Sequence, residues 1–351
     1  MNPDWRHTLT RLGAFIESDT VQHFGDKAAE LCATAKDTVL ADLSQFGRLR
    51  VSGADAQSFL QNLLSNDIRE VGSTSAQHSS FNTPKGRMLA NMLIWREGDD
   101  YLLQLPHVLC EPIRKKLAIY ILRAKVTITD ASDDFVSLGL SGEKSQELLH
   151  AHFGELPHSP LGVLNTEHGS SIYLGDTRLQ INASAQHAME IWAAFSRQAK
   201  PVGSICWDWL SIRSGIPVIL PSTQEQFVAQ MVNFELIGGV NFNKGCYPGQ
   251  EIVARMQYLG KLKRRMYLAH LDYPAYPEGH KPPQAGDELY SADMGDQASG
   301  MIVNAAPAPG GGYDLLASVQ ISSKETQKVL WKSLQGLELM FMPLPYPLPE
   351  N

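Results

Sequence analysis

Cysteine is scarce: 351 residues hold four, Cys32, Cys110, Cys206 and Cys246, far apart and with no CxxC pair. That spacing argues against a disulfide-dense secreted scaffold and against common zinc sites, and predicts free thiols in a reducing compartment. Positive charge is also short, 30 Lys and Arg against 37 Asp and Glu, for a net charge of −7. This balance argues against a protein that coats nucleic acid. No stretch approaches the roughly 20 apolar residues that span a bilayer. The opening "MNPDWRHTLTRLGAFIESDT" lacks the apolar centre of a signal peptide. A cytoplasmic protein is expected. Nucleotide cradles are missing as well, since neither GxxxxGK[ST] nor GxGxxG occurs.

With 43% hydrophobic and 19% charged residues, the composition suits a globular protein, and the length predicts two or three domains. Residues 1–36 read as a helical extension. Residues 37–132 read as a first α+β domain: the strand "RLRVSG", a helix placing Phe59, Leu60, Leu63 and Leu64 on one face, and two strands, "RMLANMLIW" and "YLLQLP". A helix from about Cys110 to Arg123 and the strand "KVTITD" close it. Residues 133–205 repeat the order as a second, ferredoxin-like α+β domain. Ser52-Gly53 and Ser141-Gly142 match at an offset of 89 residues, as do Gln57 and Gln146. Both units read β-α-β-β-α, the split βαβ arrangement. Residues 206–263 complete the first domain, and the short alternating, Gly- and Pro-rich segments of 264–351 predict a β-barrel.

The densest chemistry lies in "NKGCYPGQEIVAR", Asn243 to Arg255. Gly245 and Gly249 permit backbone angles closed to other residues, and Pro248 stiffens the turn. A cation at Lys244 would favour a thiolate at Cys246. Such a thiolate is a nucleophile, a soft-metal ligand or a redox sensor, and the competing reading is an inert buried cysteine. Gln250, Glu251 and Arg255 are then loop-organising groups. The eleven histidines are scattered, and "HAH" at His150 to His152 reads as helix surface rather than a metal site. "PGGGY" reads as a hairpin loop. Trp207 and Trp209 suit stacking on a planar heterocycle, with a core position preferred for Trp209. The run "KLKRR", Lys261 to Arg265, reads as a solvated segment, with a clamp for an anionic tail or RNA phosphates as the alternative.

At "KGCYPGQE" the chain resembles the folate-binding YgfZ-type proteins. "VSGADAQSFLQNLLSNDI", "PKGRMLANMLIW", "GIPVI", "VARMQYLGKLKRR" and "PLPYPL" extend the resemblance from about Asp42 to the C-terminus. It implies the fold of the glycine-cleavage T-protein, a tetrahydrofolate-dependent aminomethyltransferase: α+β, three domains around a central cavity, the last a β-barrel. It also implies a role in assembly or repair of iron–sulfur clusters in client enzymes, tRNA-thiolating ones included. Cys246 would be the key residue, with Lys244, Gly245, Tyr247, Gly249, Gln250 and Glu251 as its motif partners. A reduced folate is the implied cofactor, with Trp207, Phe46, Asn91 and Arg213 at its pocket. The implied partners are that folate and iron–sulfur client or assembly proteins, with no permanent metal expected; the hydropathy and charge of the chain argue against a membrane and against direct nucleic-acid binding.

Two departures narrow this. Ala90-Asn91 stands where the T-protein has an Asp pair, and an amide has no acid–base function at neutral pH. Aminomethyl transfer is therefore the alternative function, not the expected one, and a non-enzymatic accessory role is preferred. Arg213 stands where the T-protein has a Glu, and a guanidinium offers only donors.

Overall fold

The computed structural model describes residues 1–273 and 281–349. The chain divides into two compact units. The first comprises Met1–Gln61, Ile68–Gln77 and Met92–Trp207; the second comprises Asn62–Asp67, His78–Asn91 and the chain from Asp208 on. The architecture is mixed α and β throughout, as expected.

The first unit repeats one plan twice. In one sheet, strand Phe46–Ser52 lies between Asp100–Pro106 and Thr127–Asp130, and Asp100–Pro106 also pairs with residues 93–97; every pair is antiparallel. In the other, Val136–Ser141 pairs with Arg178–Ala183, which pairs with Gly169–Gly175 and then Val163–Thr166. Helices Ala56–Gln61 and Ser145–Phe153 follow the equivalent first strands, and helices His107–Ala118 and Ala185–Phe195 follow the equivalent last ones. The matched glycines share a backbone role. Gly53 has φ +112° and Gly142 φ +120°, and an added Cβ would meet the carbonyl oxygen of Lys125 at 2.1 Å or of Asp37 at 2.5 Å. Neither site admits a side chain. The offset of 89 thus has a physical counterpart at these two turns.

Residues 1–36 are not helical throughout. Helices Pro3–Arg11 and Lys27–Lys36 flank a hairpin of Phe15–Glu17 and Thr20–His23, turned at Ser18 and Asp19, both with positive φ. Trp5 and Leu9, four apart on one helical face, are buried with Leu138, Ile181 and Trp192. The Trp5 indole donates to Asp42 at 2.7 Å. Strand Lys200–Val202 pairs parallel to Val39–Asp42, an element with no alternation to announce it.

In the second unit the expected barrel is a curled six-stranded half-barrel. Its order is Leu330–Trp331, Glu288–Tyr290, Gly300–Pro307, Tyr313–Gln320, Arg264–Leu271, Leu339–Met342, all antiparallel. Leu289, Ile302, Leu315 and Ala317 fill one apolar cluster on it. "PGGGY" is a hairpin loop here, with Gly311 and Gly312 at positive φ. Among the described residues no helix is long and apolar enough to cross a membrane, and no group of three His, Cys, Asp or Glu side chains is arranged to hold a metal ion.

Candidate functional site

The Cys246 loop lies in the second unit and is anchored on both sides of the thiol, at Lys244 and at Gly249. Its bracket is the short segment Leu64–Asp67. The Ser65 hydroxyl donates to the Gly239 carbonyl at 2.7 Å, and the Asn66 amide donates to the carbonyls of Gly238 at 2.7 Å and His78 at 2.8 Å. The Asn241 amide then donates to the Ser65 carbonyl at 3.1 Å. Lys244, 5% exposed, sends its ammonium onto the carbonyl oxygens of Leu64 at 2.5 Å and Asn66 at 2.9 Å. A buried cation requires such acceptors, because its desolvation is otherwise costly.

This gives Lys244 a different place from the one its sequence position suggests. Its charge is met by two carbonyls and by the face of the Tyr247 ring, 5.2 Å away. Tyr247 is itself buried, which pushes its phenol up to about 12 and keeps it neutral. The lysine clamps the loop.

On the far side of the thiol, Gly249 caps helix Gln250–Tyr258 with φ +83°. A Cβ there would stand 2.5 Å from the Gly86 Cα and 2.6 Å from the Thr83 oxygen. Gly86, at φ +72°, belongs to the "PKGR" turn, so the two glycine turns meet backbone to backbone. Gly245 is different: its φ is ordinary, and a Cβ would meet nothing within 4 Å. The conformational freedom expected at both glycines is required only at Gly249. The Gln250 side chain donates to the Lys244 carbonyl at 3.4 Å, and its amide to the Tyr247 carbonyl at 3.1 Å. Val253 is buried, and its carbonyl accepts from the Gln230 amide at 2.7 Å. Cys246 is exposed, as are Glu251 and Arg255 on the helix. By contrast, Cys110 is buried and its thiol pushed up to about 12 by that burial.

The residues assigned to a folate pocket fall in both units. In the first, Trp207 is 3% exposed, and its ring lies so close over Gly139 that a Cβ there would be 2.5 Å from it. Phe46 is half-buried at the start of its strand. In the second, the Asn91 amide donates to the Pro217 carbonyl at 2.7 Å and accepts from the Ile219 amide at 2.8 Å. Asn91 therefore staples its strand to "GIPVI", and the preceding Ala90 is fully buried. Arg213 lies 3.7 Å from Asp314, which also accepts from the Trp209 indole at 2.8 Å and bonds His270 at 2.8 Å. Trp209 is half-buried against the core, as preferred for it. His152 packs against Phe195 and does not sit fully at the surface as "HAH" suggested.

Sequence reasoning missed the bracket, Ser65 and Asn66, and a line of buried amides. Gln104 and Gln180 bond each other at 2.9 and 2.7 Å, and Gln180 donates to Asn182 at 2.9 Å. Gln45 and Gln77, also in the first unit, bury both amide atoms without a hydrogen-bond partner. The available signal was a glutamine set between apolar neighbours in a strand, as in "YLLQLP" and "TRLQINA". For the bracket it was the polar trio "SND" that ends an apolar helical stripe.

The profile of the GCVT N-terminal domain family matches residues 12–207. The chain is 30% identical over 275 residues to the tRNA-modifying protein YgfZ of Colwellia psychrerythraea, covering 75% of this chain and 84% of that one. It is 29% identical over 316 residues to the tRNA-modifying protein YgfZ of an Enterobacter species, covering 89% and 94%. The crystal structure of the glycine cleavage system aminomethyltransferase T from Bartonella henselae superimposes with a TM-score of 0.78 over 98% of this chain and 97% of that one. At 15% identity that likeness shows the fold.

Proposed function

The chain belongs to the YgfZ family, within the wider GCVT fold group, and we propose that it is a folate-binding accessory protein of the cytoplasm, supporting assembly or repair of iron–sulfur clusters in client enzymes. Those clients include tRNA-modifying enzymes, in keeping with the name its relatives carry. The working group is the Cys246 thiol. One observation carries this reading: Cys246 is exposed while Lys244, Tyr247 and Gly249 around it are buried or clamped. Ordering a loop costs about 1–2 kcal/mol per residue in backbone entropy. A loop ordered around one solvent-facing thiol suits presentation of that thiol to a partner.

The first unit supports a reduced folate chemically. Gln45 and Gln77 have buried, uncommitted donors and acceptors, and a pterin edge carries both kinds. Phe46 and Trp207 offer aromatic surface, although one face of Trp207 is already taken by Gly139. When bound, a reduced folate supplies a one-carbon carrier. Asn91 and Arg213 have protein partners in the second unit and are weaker candidates for holding it.

The alternative, tetrahydrofolate-dependent aminomethyl transfer, meets a specific obstacle. Ala90 and Asn91 provide no carboxylate, and the Asn91 amide is held by two backbone partners. Incubation with tetrahydrofolate and an aminomethyl donor tests it, and no turnover is expected. Folate binding is tested by fluorescence titration of the wild type against Trp207→Phe. The phenylalanine variant avoids the cavity that alanine would leave at a 3% exposed site. Saturable quenching supports binding; its absence, with no calorimetric signal, removes folate from the account.

A further inference from the structure

The second unit carries a groove of about 870 Å3 on which basic side chains converge. Lys261, Lys263 and Arg265 line it together with Gln257, Gln320 and Ser322, and no carboxylate is among its described lining residues. Arg265 is already paired with Glu235. Lys261 and Lys263 are exposed. Arg264 stands between them and Arg265 in sequence, held below its ordinary value by burial and by the nearby charge of Arg87. In a chain of net charge −7, four cations within residues 261–265 are a local reversal of sign. Immediately before them, Tyr258 is 66% and Leu259 85% exposed; the Tyr258 ring packs edge-on against Phe242, and neither residue is among the described lining. A cationic groove without carboxylates in its described lining can hold a nucleic-acid backbone without sequence readout, phosphates on the cations.

We propose that this groove is an RNA-binding surface that takes the phosphate backbone of tRNA, with Lys261 and Lys263 on phosphates. The cations alone require only a polyanion; the choice of tRNA rests on the tRNA-side role proposed above. Overall charge predicts no nucleic-acid contact, but electrostatic binding is decided within a Debye length of about 8–10 Å, where local charge dominates. Met256 and Gln257, at the C-terminal end of helix Gln250–Tyr258, line the groove, while the Cys246 loop precedes its N-terminal end; nine helical residues span about 14 Å. Bound RNA would thus sit at the far end of the helix that the thiol precedes.

The test is fluorescence anisotropy of the full-length protein with an unmodified tRNA transcript, between roughly 50 and 200 mM salt. Wild type should bind, and more weakly as salt rises. The double variant Lys261→Glu, Lys263→Glu should lose at least about tenfold in affinity and flatten the log–log salt slope by about 1.5, the loss of two phosphate contacts. Both side chains are exposed, so an unchanged melting temperature is the control for folding. Cys246→Ser should bind tRNA like wild type, which separates this surface from the thiol. Absence of tRNA binding by wild type, unchanged binding by the double variant, or equally tight binding of heparin each overturns the proposal. If tRNA binding is absent while the thiol is needed in cells, the groove inference falls and the proposed function stands.

Discussion

Gly249 and Gly86 meet backbone to backbone, so close that a Cβ on Gly249 would stand 2.5 Å from the Gly86 Cα. Two sequence motifs, "PKGR" and "PGQE", are thereby one structural joint, and the helix after Cys246 starts from it. The loop's other anchor is Lys244 on the carbonyls of Leu64 and Asn66. Between these two fixed points the thiol faces outward.

Gly249→Ala should therefore destabilise the protein by about 2–4 kcal/mol, from a disfavoured backbone angle added to a backbone overlap. Gly245→Ala, with ordinary φ and open space, should stay within about 0.5 kcal/mol of wild type. Urea unfolding of the pair measures both. Equal effects would contradict the joint.

Lys244→Met should cost about 2–3 kcal/mol, because two buried carbonyls lose a charged donor. If Lys244 acted chiefly on the thiolate, the variant would keep its stability and lose only thiol reactivity. Chemical denaturation and alkylation rates on one preparation separate the two.

Thiol titration of the native protein should show a fast phase containing Cys246 and a buried class, Cys110 and Cys206, that reacts only on unfolding. Cys110, held at about 12, should be the more resistant to alkylation at neutral pH. Cys246→Ser should remove one equivalent from the fast phase. A fast phase unaltered in that variant would contradict the exposure of the thiol.

Asn91→Asp should destabilise by about 2 kcal/mol and create no aminomethyltransferase activity. A carboxylate cannot donate to the Pro217 carbonyl, now 2.7 Å from the Asn91 amide nitrogen. Thermal melts and a turnover assay report the two halves independently.

Burial holds Asp42 above its ordinary value of 3.8, against the lowering effect of hydrogen bonds from Trp5 and Ser44. The native state then binds this proton more tightly than the unfolded chain, so its contribution to stability falls as pH rises from about 3.8 through the folded value. Asp42→Asn, which can still accept from Trp5, should abolish that part of the slope. Urea midpoints of both proteins across this range check it; a wild type gaining stability relative to the variant with rising pH would reverse the sign.

How much of this was legible follows from what each element depends on. The repeated β-α-β-β plan was readable because alternation and helical stripes are local signals, and Ser52-Gly53 and Ser141-Gly142 mark turns with one geometry. Strand Gln77–Asn82 was not, since "QHSSFN" neither alternates nor looks apolar; its buried serines are tied by hydrogen bonds to Ser65 and Asn66. The motif around Cys246 was visible as a sequence, but its clamp was not. Lys244 binds residues about 180 positions earlier, and no spacing rule reaches that far.

The most direct test of the account is complementation. In a bacterial host lacking its own YgfZ, wild-type protein should restore the activity of a cluster-dependent tRNA-modifying enzyme, and Cys246→Ser at equal abundance should fail. Full rescue by the serine variant would contradict the central role of the thiol.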